Sequence, residues 1–153
     1  LRAVVQRVSS ASVSTLTDGS ELQAGRIAEG LLLFLGVGKG DTVSDAAYLA
    51  DKVAGLRIFM DEQEKMNLSI QDTGGSILVI SQFTLYADAR KGRRPSFSEA
   101  SGNEEAENLY ERFCALLRDK GLSVETGRFR ETMRISCMHE GPVTILLDSR
   151  KGF

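Results

Sequence analysis

Histidine occurs once in this 153-residue chain, and cysteine and proline twice each. With His139 alone, no multi-histidine metal site can form, and a Ser–His–Asp triad would have one base available. Its candidate nucleophile would be Ser81, which lacks the Gly-x-Ser-x-Gly elbow. Cys137 and His139 would share a strand face, but two ligands are too few for a metal centre. Cys114 falls in a helical stripe and reads as core packing. Two distant thiols give no disulfide framework and point to a reducing compartment. An excess of one charge is missing too. Nineteen Lys and Arg stand against 21 Asp and Glu, for a net charge of -2. That excludes a globally basic nucleic-acid coat but leaves room for a local basic patch. The longest apolar run, residues 31–35, is far too short to span a bilayer. Residues 1–8 lack the layout of a secretory signal. The expectation is a soluble cytoplasmic protein with no membrane partner, no cofactor and no metal.

What is present suits one domain over residues 1–153. Apolar residues make up 42% and charged residues 26%, enough to fold around a core. Residues 2–8 and 11–16 read as two strands. Asp18-Gly19 marks a hairpin, and residues 21–28 return as its partner. The unbroken run Leu31-Leu32-Leu33-Phe34-Leu35 reads as a strand buried on both faces. Gly36-Val37-Gly38-Lys39-Gly40-Asp41 resembles a nucleotide loop only superficially, because Asp41 stands where a third glycine belongs. It is taken as a turn. Thr42 to Asp45 fits a capping box opening a helix that ends at Gly55. Residues 57–60 read as a short strand and 61–67 as a polar turn. A second helix starts near Ser101, carries the stripe Ala106, Leu109, Tyr110, Phe113, Leu116 and Leu117, and ends near Gly121. Residues 123–129 and 132–138 read as strands, His139-Glu140-Gly141 as a tight turn, and 142–147 as the last strand. The fold class is α/β (α+β): antiparallel-rich sheets with two main helices.

The stretch with most chemical content is Ile77 to Leu85. It reads as a strand whose second face, Leu78, Ile80, Gln82, Thr84, turns polar within two residues. Arg90, Lys91, Arg93 and Arg94 follow. A polar strand end beside a cationic loop suits an anionic ligand with a reactive carbonyl or phosphoryl group. A strand surfacing beside a solvated loop is the plainer alternative. Hydroxyls (Ser81, Thr84, Thr144) and an amide (Gln82) are the groups to hand, and none is a strong base at neutral pH. A hydrolase built from them would work by positioning and preorganised hydrogen bonds.

Ser81-Gln82-Phe83-Thr84 together with Gly141-Pro142-Val143-Thr144 resembles the paired signature of the D-aminoacyl-tRNA deacylases, also called D-tyrosyl-tRNA deacylases. Residues 2–8, Lys65-Met66-Asn67-Leu68-Ser69 and the segment from Arg90 to Phe97 resemble family segments as well, so the likeness covers essentially the whole chain. It implies a barrel-like core and a homodimer with a site at each end of the interface. The implied reaction is hydrolysis of the ester joining a D-amino acid to the terminal ribose of tRNA, which proofreads chirality in translation. Clearance of glycine mischarged on tRNA(Ala) is implied with it. By resemblance, Ser81, Gln82 and Thr84 are catalytic, and Phe83, Gly141, Pro142, Met133 and Arg7 bind substrate. Gly141-Pro142 would be cis, enter the partner's pocket, hold the α-amino group through its carbonyls and exclude an L side chain. Without the resemblance the bond would be expected trans, since only about 5–6% of X–Pro bonds in folded proteins are cis. Arg7 would brace the dipeptide. Thr84 is one proposed nucleophile. The competing view uses the substrate's 2′-hydroxyl and backbone N–H groups near Phe83 and Thr84, and it fits a chain without a base beside Thr84. A regular strand would put Ser81 and Thr84 on opposite faces, so both reach one ligand only through a bend or main-chain contacts.

Two segments depart from the family pattern. His139-Glu140 stands where Asn-Asp is usual, and Phe129-Arg130-Glu131-Thr132-Met133 where Phe-Gly-Ala-x-Met is usual. Both bear on pocket shape and turn geometry, not on the class of reaction. Two rivals remain. One is a related deacylase of small L-aminoacyl-tRNAs, with a trans Gly-Pro bond, against which Phe83 argues. The other is a tRNA-binding module without catalysis.

Overall fold

In the computed structural model, which describes residues 1–153, the sheet is arranged on its first strand. β1 (Arg2–Thr17) runs for 16 residues. One of its edges is shared in sequence by two partners. Its first half pairs antiparallel with β3 (Gly30–Gly36), Ala3 opposite Leu35 and Gln6 opposite Leu32. Its second half pairs with β2 (Ser20–Ile27), from Ala11 opposite Ile27 to Thr17 opposite Ser20. Asp18 and Gly19 close that hairpin with φ of 48° and 76°, the left-handed pair a two-residue turn needs. The other edge of β1 is covered along its length by β8 (Met133–Asp148). β6 (Ser76–Ser81) lies parallel to β3, and β7 (Ser123–Thr126) parallel to β6. The order is β2-β1-β3-β6-β7, with β8 on β1.

The long strand bends, and the sheet nearly closes on itself. β2 returns over β6 and β7, where Gly25 comes so close that a Cβ would lie 2.8 Å from the Thr126 carbonyl oxygen. Two apolar clusters result. The larger packs Val5, Leu31, Leu33, Leu35, Ile77 and Val79 against α1 (Val43–Gly55) and α3 (Asn103–Asp119). The smaller fills the curl with Val8, Ala11, Val13, Ile27, Leu32, Leu78 and Ile80. Alternate residues of β3 thus serve different cores, as the unbroken Leu31–Leu35 run leads one to expect. This is the antiparallel-rich, barrel-like α+β architecture with two main helices. α1 opens on the reciprocal Thr42–Asp45 box, the Thr42 N–H donating to Asp45 Oδ2 at 2.8 Å. α3 buries Tyr110, Phe113, Cys114 and Leu117. Burial pushes the Cys114 thiol up to about 11, so it packs as an apolar group.

Several elements differ from the sequence reading. Residues 2–8 and 11–16 are one strand, because β8 supplies partners across the gap through two register shifts. His139-Glu140-Gly141 is not a tight turn. Val8 faces His139 and Gln6 faces Thr144, so Arg7 alone stands opposite residues 140–143. Pro142 has no N–H to give the ladder, and the sheet takes up the fault as a bulge rather than a reversal. Residues 123–129 are strand only as far as Thr126. Residues 57–60 contract to β4 (Phe59–Met60), paired with β5 (Met66–Leu68), which overlaps the end of the expected polar turn. A four-residue helix, α2 (Ile70–Thr73), escaped the sequence reading although Ser69 and Asp72 cap it reciprocally.

The central stretch is the most consequential difference. β6 stops at Ser81, and Phe83–Tyr86 is a 3-10 turn. β7 accompanies β6 only to Val79. The Gln82 N–H bonds the Leu35 carbonyl at 2.8 Å, and β3 itself ends one residue later. Beyond that point no strand offers partners, so the chain satisfies itself locally. Leu85 N–H bonds Gln82 C=O at 3.3 Å and Ala87 N–H bonds Thr84 C=O at 3.0 Å.

Two predictions follow from these packings. A Cβ on Gly38 would meet the Tyr86 ring at 2.5 Å, so Gly38→Ala should cost about 1–3 kcal/mol by overpacking, read by urea unfolding. The Ser69 backbone N–H and then its hydroxyl hold the Asp72 carboxyl below its ordinary value. A depressed folded pKa stabilises above the unfolded value of about 4 and is lost as pH falls through the folded value. Asp72→Ala should therefore lower Tm at neutral pH, and the gap should close in acid.

Candidate active site

The 3-10 turn is held from below. Gly36 and Gly38 let the Tyr86 ring lie against the backbone, since a Cβ at either would collide with residues 82–86. The Tyr86 hydroxyl donates to Asp41 Oδ2 at 3.1 Å. Asp41, whose side chain is buried, also accepts from the Gly38 N–H at 2.7 Å and pairs with Arg150 at 2.8 Å. Burial, then the Asp41 charge, raises the Tyr86 hydroxyl well above its ordinary pKa, so it remains a donor. Arg2 adds a bond from Nη1 to the Leu85 carbonyl at 3.1 Å and lies over the Tyr86 ring. The glycine loop, a turn as expected, is thus the seat of the turn that follows β6.

Ser81, Gln82 and Phe83 line one wall of a cleft of about 420 Å³. Phe129, Met133 and Ile135 line the facing wall, and Ala100, Ser101 and Asn103 at the start of α3 close one end. Gly127 comes close to Met133: a Cβ there would be 2.6 Å from its Sδ. Phe129 is steadied by Tyr110, with ring centroids 6.0 Å apart. The Tyr110 hydroxyl donates to the Val79 carbonyl at 2.8 Å, tying α3 to the end of β6. Phe83 is 58% exposed, yet its ring meets Phe97 edge-on at 5.1 Å.

Thr84 sits one residue beyond the cleft wall, exposed, and the Gln82 side-chain amide donates to its hydroxyl. The bend that a regular strand could not supply is therefore present. The N–H groups of Phe83 and Thr84 have no backbone or side-chain acceptor, as expected at the start of a helical turn. The cleft holds one cation and one carboxylate, Arg130 and Glu131. Arg130 has φ of 64°, in the left-handed region where glycine is ordinary. In the sequence Arg130 and Glu131 stand out only as departures from a pattern, and Gly127, Ser101 and Asn103 do not stand out as site residues. Glycine before a strand gap and polar residues at a helix start carry no signal until the pieces meet.

Arg7, Gly141 and Pro142 are not part of this cleft. Arg7 is buried, and it donates from Nε to the Glu140 carbonyl at 3.1 Å and from Nη1 to the Ile58 carbonyl at 2.6 Å. It grips the chain one residue ahead of Gly141. The Gly141–Pro142 bond is cis, as the resemblance implies, and Gly141 has φ of 123°. A Cβ there would lie 3.0 Å from an Arg7 nitrogen. Both residues are exposed. Within one chain, then, Ser81, Gln82, Phe83 and Met133 come together with Thr84 beside them, while Arg7, Gly141 and Pro142 form a separate group. His139 is exposed on β8 and does not line the cleft.

Comparison with known proteins identifies the family. A family model described as D-Tyr-tRNA(Tyr) deacylase matches residues 4–148. A D-aminoacyl-tRNA deacylase of Thermotoga petrophila is 58% identical over 153 residues, covering 100% of both chains. One from Koribacter versatilis is 57% identical over the same span, again covering 100% of both chains. Among solved structures, a c-Myc DNA Unwinding Element Binding Protein superposes with a TM-score of 0.87 at 36% identity, covering 97% of this chain and 98% of the other. A probable eukaryotic D-amino acid tRNA deacylase gives 0.79 at 17% identity, over 95% and 97% of the two chains, a likeness of fold alone. The family match across residues 4–148 and the full-length relatives establish that this chain belongs to the D-aminoacyl-tRNA deacylase family of hydrolases.

Proposed function

We propose that the cleft hydrolyses the ester between a D-amino acid and the terminal ribose of tRNA, releasing the free amino acid and tRNA in the cytoplasm. One observation carries the reading. Ser81, Gln82, Phe83 and Met133 share a cleft at a turn whose first two N–H groups are free. Two adjacent, unpaired N–H donors can steady the oxyanion that forms when water adds to an ester carbonyl. In this role Phe83 and Thr84 act through main-chain atoms. The Gln82–Thr84 contact fixes the turn, and Ser81, Phe83 and Met133 hold the terminal nucleoside. The substrate's 2′-hydroxyl assists the attacking water, which accounts for a site with no histidine in its lining.

The second half of the site is proposed to come from another copy. β8 pairs only with β1, so its outer edge is unpaired along the strand. Met138 and Leu146 on it are 62% and 56% exposed. A long, unpaired edge with apolar residues is a surface that proteins cover. In a homodimer joined there, the exposed Gly141-Pro142 bulge of one subunit enters the cleft of the other, with Arg7 holding it rigid. Its carbonyls capture the α-amino group, and its bulk leaves no room for an L side chain. Glycine, which has no side chain to exclude, passes the same filter, so glycine mischarged on tRNA(Ala) is a second substrate. The alternative of nucleic-acid binding without catalysis draws on one structural neighbour named as a c-Myc DNA Unwinding Element Binding Protein.

Deacylation of D-tyrosyl-tRNA with the L isomer as control separates these readings. The expected result is turnover of the D ester alone; binding without turnover would leave a binding module. Thr84→Ala should keep turnover within about ten-fold of the parent, whereas loss of a true nucleophile costs roughly 10⁴–10⁶-fold. Glu131→Gln should behave likewise, since loss of a general base costs about 10²–10⁴-fold. Near-complete loss in either variant, with tRNA binding intact, would move the chemistry onto that side chain.

A further inference from the structure

The segment that joins the Phe83 wall of the cleft to its end at the start of α3 has no part in the chemistry above. It leaves the cleft after the Phe83–Tyr86 turn and rejoins it at Ala100, Ser101 and Asn103, all of which line the cleft. Between these anchors it forms an exposed arm. Asp88 and Ser96 exchange backbone bonds at 2.8 and 2.9 Å and close the base of the arm. The Arg90 guanidinium forks onto the Asp88 carboxylate at 2.9 and 2.7 Å. Asp88 thereby neutralises Arg90 and fixes the base. Lys91, Arg93 and Arg94 then stand exposed with no ion pair. Gly92, at φ of 76°, turns the chain between them. Phe97, at the foot of the arm, packs edge-on against Phe83 of the cleft wall.

We propose that the arm carrying Lys91, Arg93 and Arg94 docks the RNA phosphate backbone leading into the cleft. This rests on the deacylase reading, and it assigns the part of tRNA read beyond the terminal nucleoside. The chain as a whole carries a charge of -2, so three unpaired cations on one arm make a local field rather than a general attraction. Phosphates sit at regular intervals along a nucleotide chain. A strand whose 3′ end lies between Phe83 and Met133 must leave the cleft across its rim, where the arm is rooted on both sides. Arginine and lysine contacts of this kind position a backbone without reading its bases. The arm therefore serves tRNAs charged with different amino acids equally well.

The test is the triple variant Lys91→Gln, Arg93→Gln, Arg94→Gln, assayed from about 50 to 200 mM salt. Two substrates are compared: D-tyrosyl-tRNA, and D-tyrosyl-adenosine, which carries the ester and no phosphate. At low salt, kcat/KM for the tRNA ester should fall about ten-fold or more through KM. The logarithmic salt slope should become shallower by about 2, the count expected for three lost contacts to single-stranded RNA. Cleavage of the adenosine ester should move less than about two-fold. A second variant removing the same charge elsewhere, Lys52→Gln, Arg112→Gln, Lys151→Gln, should leave the salt slope at its parent value. The proposal is overturned if the arm variant cleaves charged tRNA like the parent, if both esters suffer equally, or if the two variants lose the same amount. Should the parent cleave neither ester, the deacylase reading fails by itself. The arm is then judged by titration of uncharged tRNA against a DNA duplex of equal charge, and unchanged tRNA affinity in the arm variant overturns it.

Discussion

The bond from the Gln82 N–H to the Leu35 carbonyl, at 2.8 Å, is the last rung of the β3–β6 ladder. Up to that rung the central strand has β3 alongside it, while β7 has already fallen away after Val79. After it the chain must find partners within itself, because an unmet N–H or C=O in a partly buried place is costly. The tight turn over Phe83–Tyr86 is the outcome. Its geometry leaves the N–H groups of Phe83 and Thr84 without acceptors while holding them rigidly, since Tyr86 is bolted to the buried Asp41 and Leu85 to Arg2. An unpaired donor that is fixed in place costs stability in the resting protein and needs no reorganisation when a negative charge appears.

The same economy is visible at the other end of the molecule. Arg7 is buried without a carboxylate partner and donates to the carbonyls of Glu140 and Ile58 instead. A guanidinium placed this way joins β1, the approach to β4 and the β8 bulge into one unit. Gly141 takes a φ of 123° beside it, a conformation that glycine adopts readily, and a Cβ there would press on the guanidinium. What is held out to solvent there is main chain again. In the proposed dimer, the proposed filter for chirality and the proposed oxyanion donors would both be peptide groups. That reading fits a chain with a single histidine, which needs few reactive side chains to do its work.

The legible part of the fold was the part governed by local periodicity. The capping box at Thr42, the stripe of α3, the Asp18-Gly19 hairpin and the doubly buried Leu31–Leu35 strand all follow from spacing and residue type, and all are present. The illegible part depended on which strand lay alongside. Residues 83–85 have the composition of a strand, and the His139-Glu140-Gly141 sequence has that of a turn, yet each took the opposite form. Ladder partners are missing in the first case; in the second, β1 pairs with His139 and Thr144 on either side of the bulge and keeps the chain in the sheet. The positive φ of Arg130 and the close approach of Gly127 to Met133 are likewise invisible in any local pattern.

By itself, the sequence determined the class of fold, the family and the candidate residues, because hydrophobic period, capping chemistry and two short motifs are properties of contiguous residues. Tertiary structure alone decided that Ser81, Gln82 and Phe83 share a cleft with Met133, that Thr84 lies just outside it, and that Arg7 and Gly141-Pro142 belong to a different surface of the same chain. Backbone hydrogen bonds must be satisfied by whichever segment is near. The bend that makes the site is therefore a fact about neighbours, which no local pattern records.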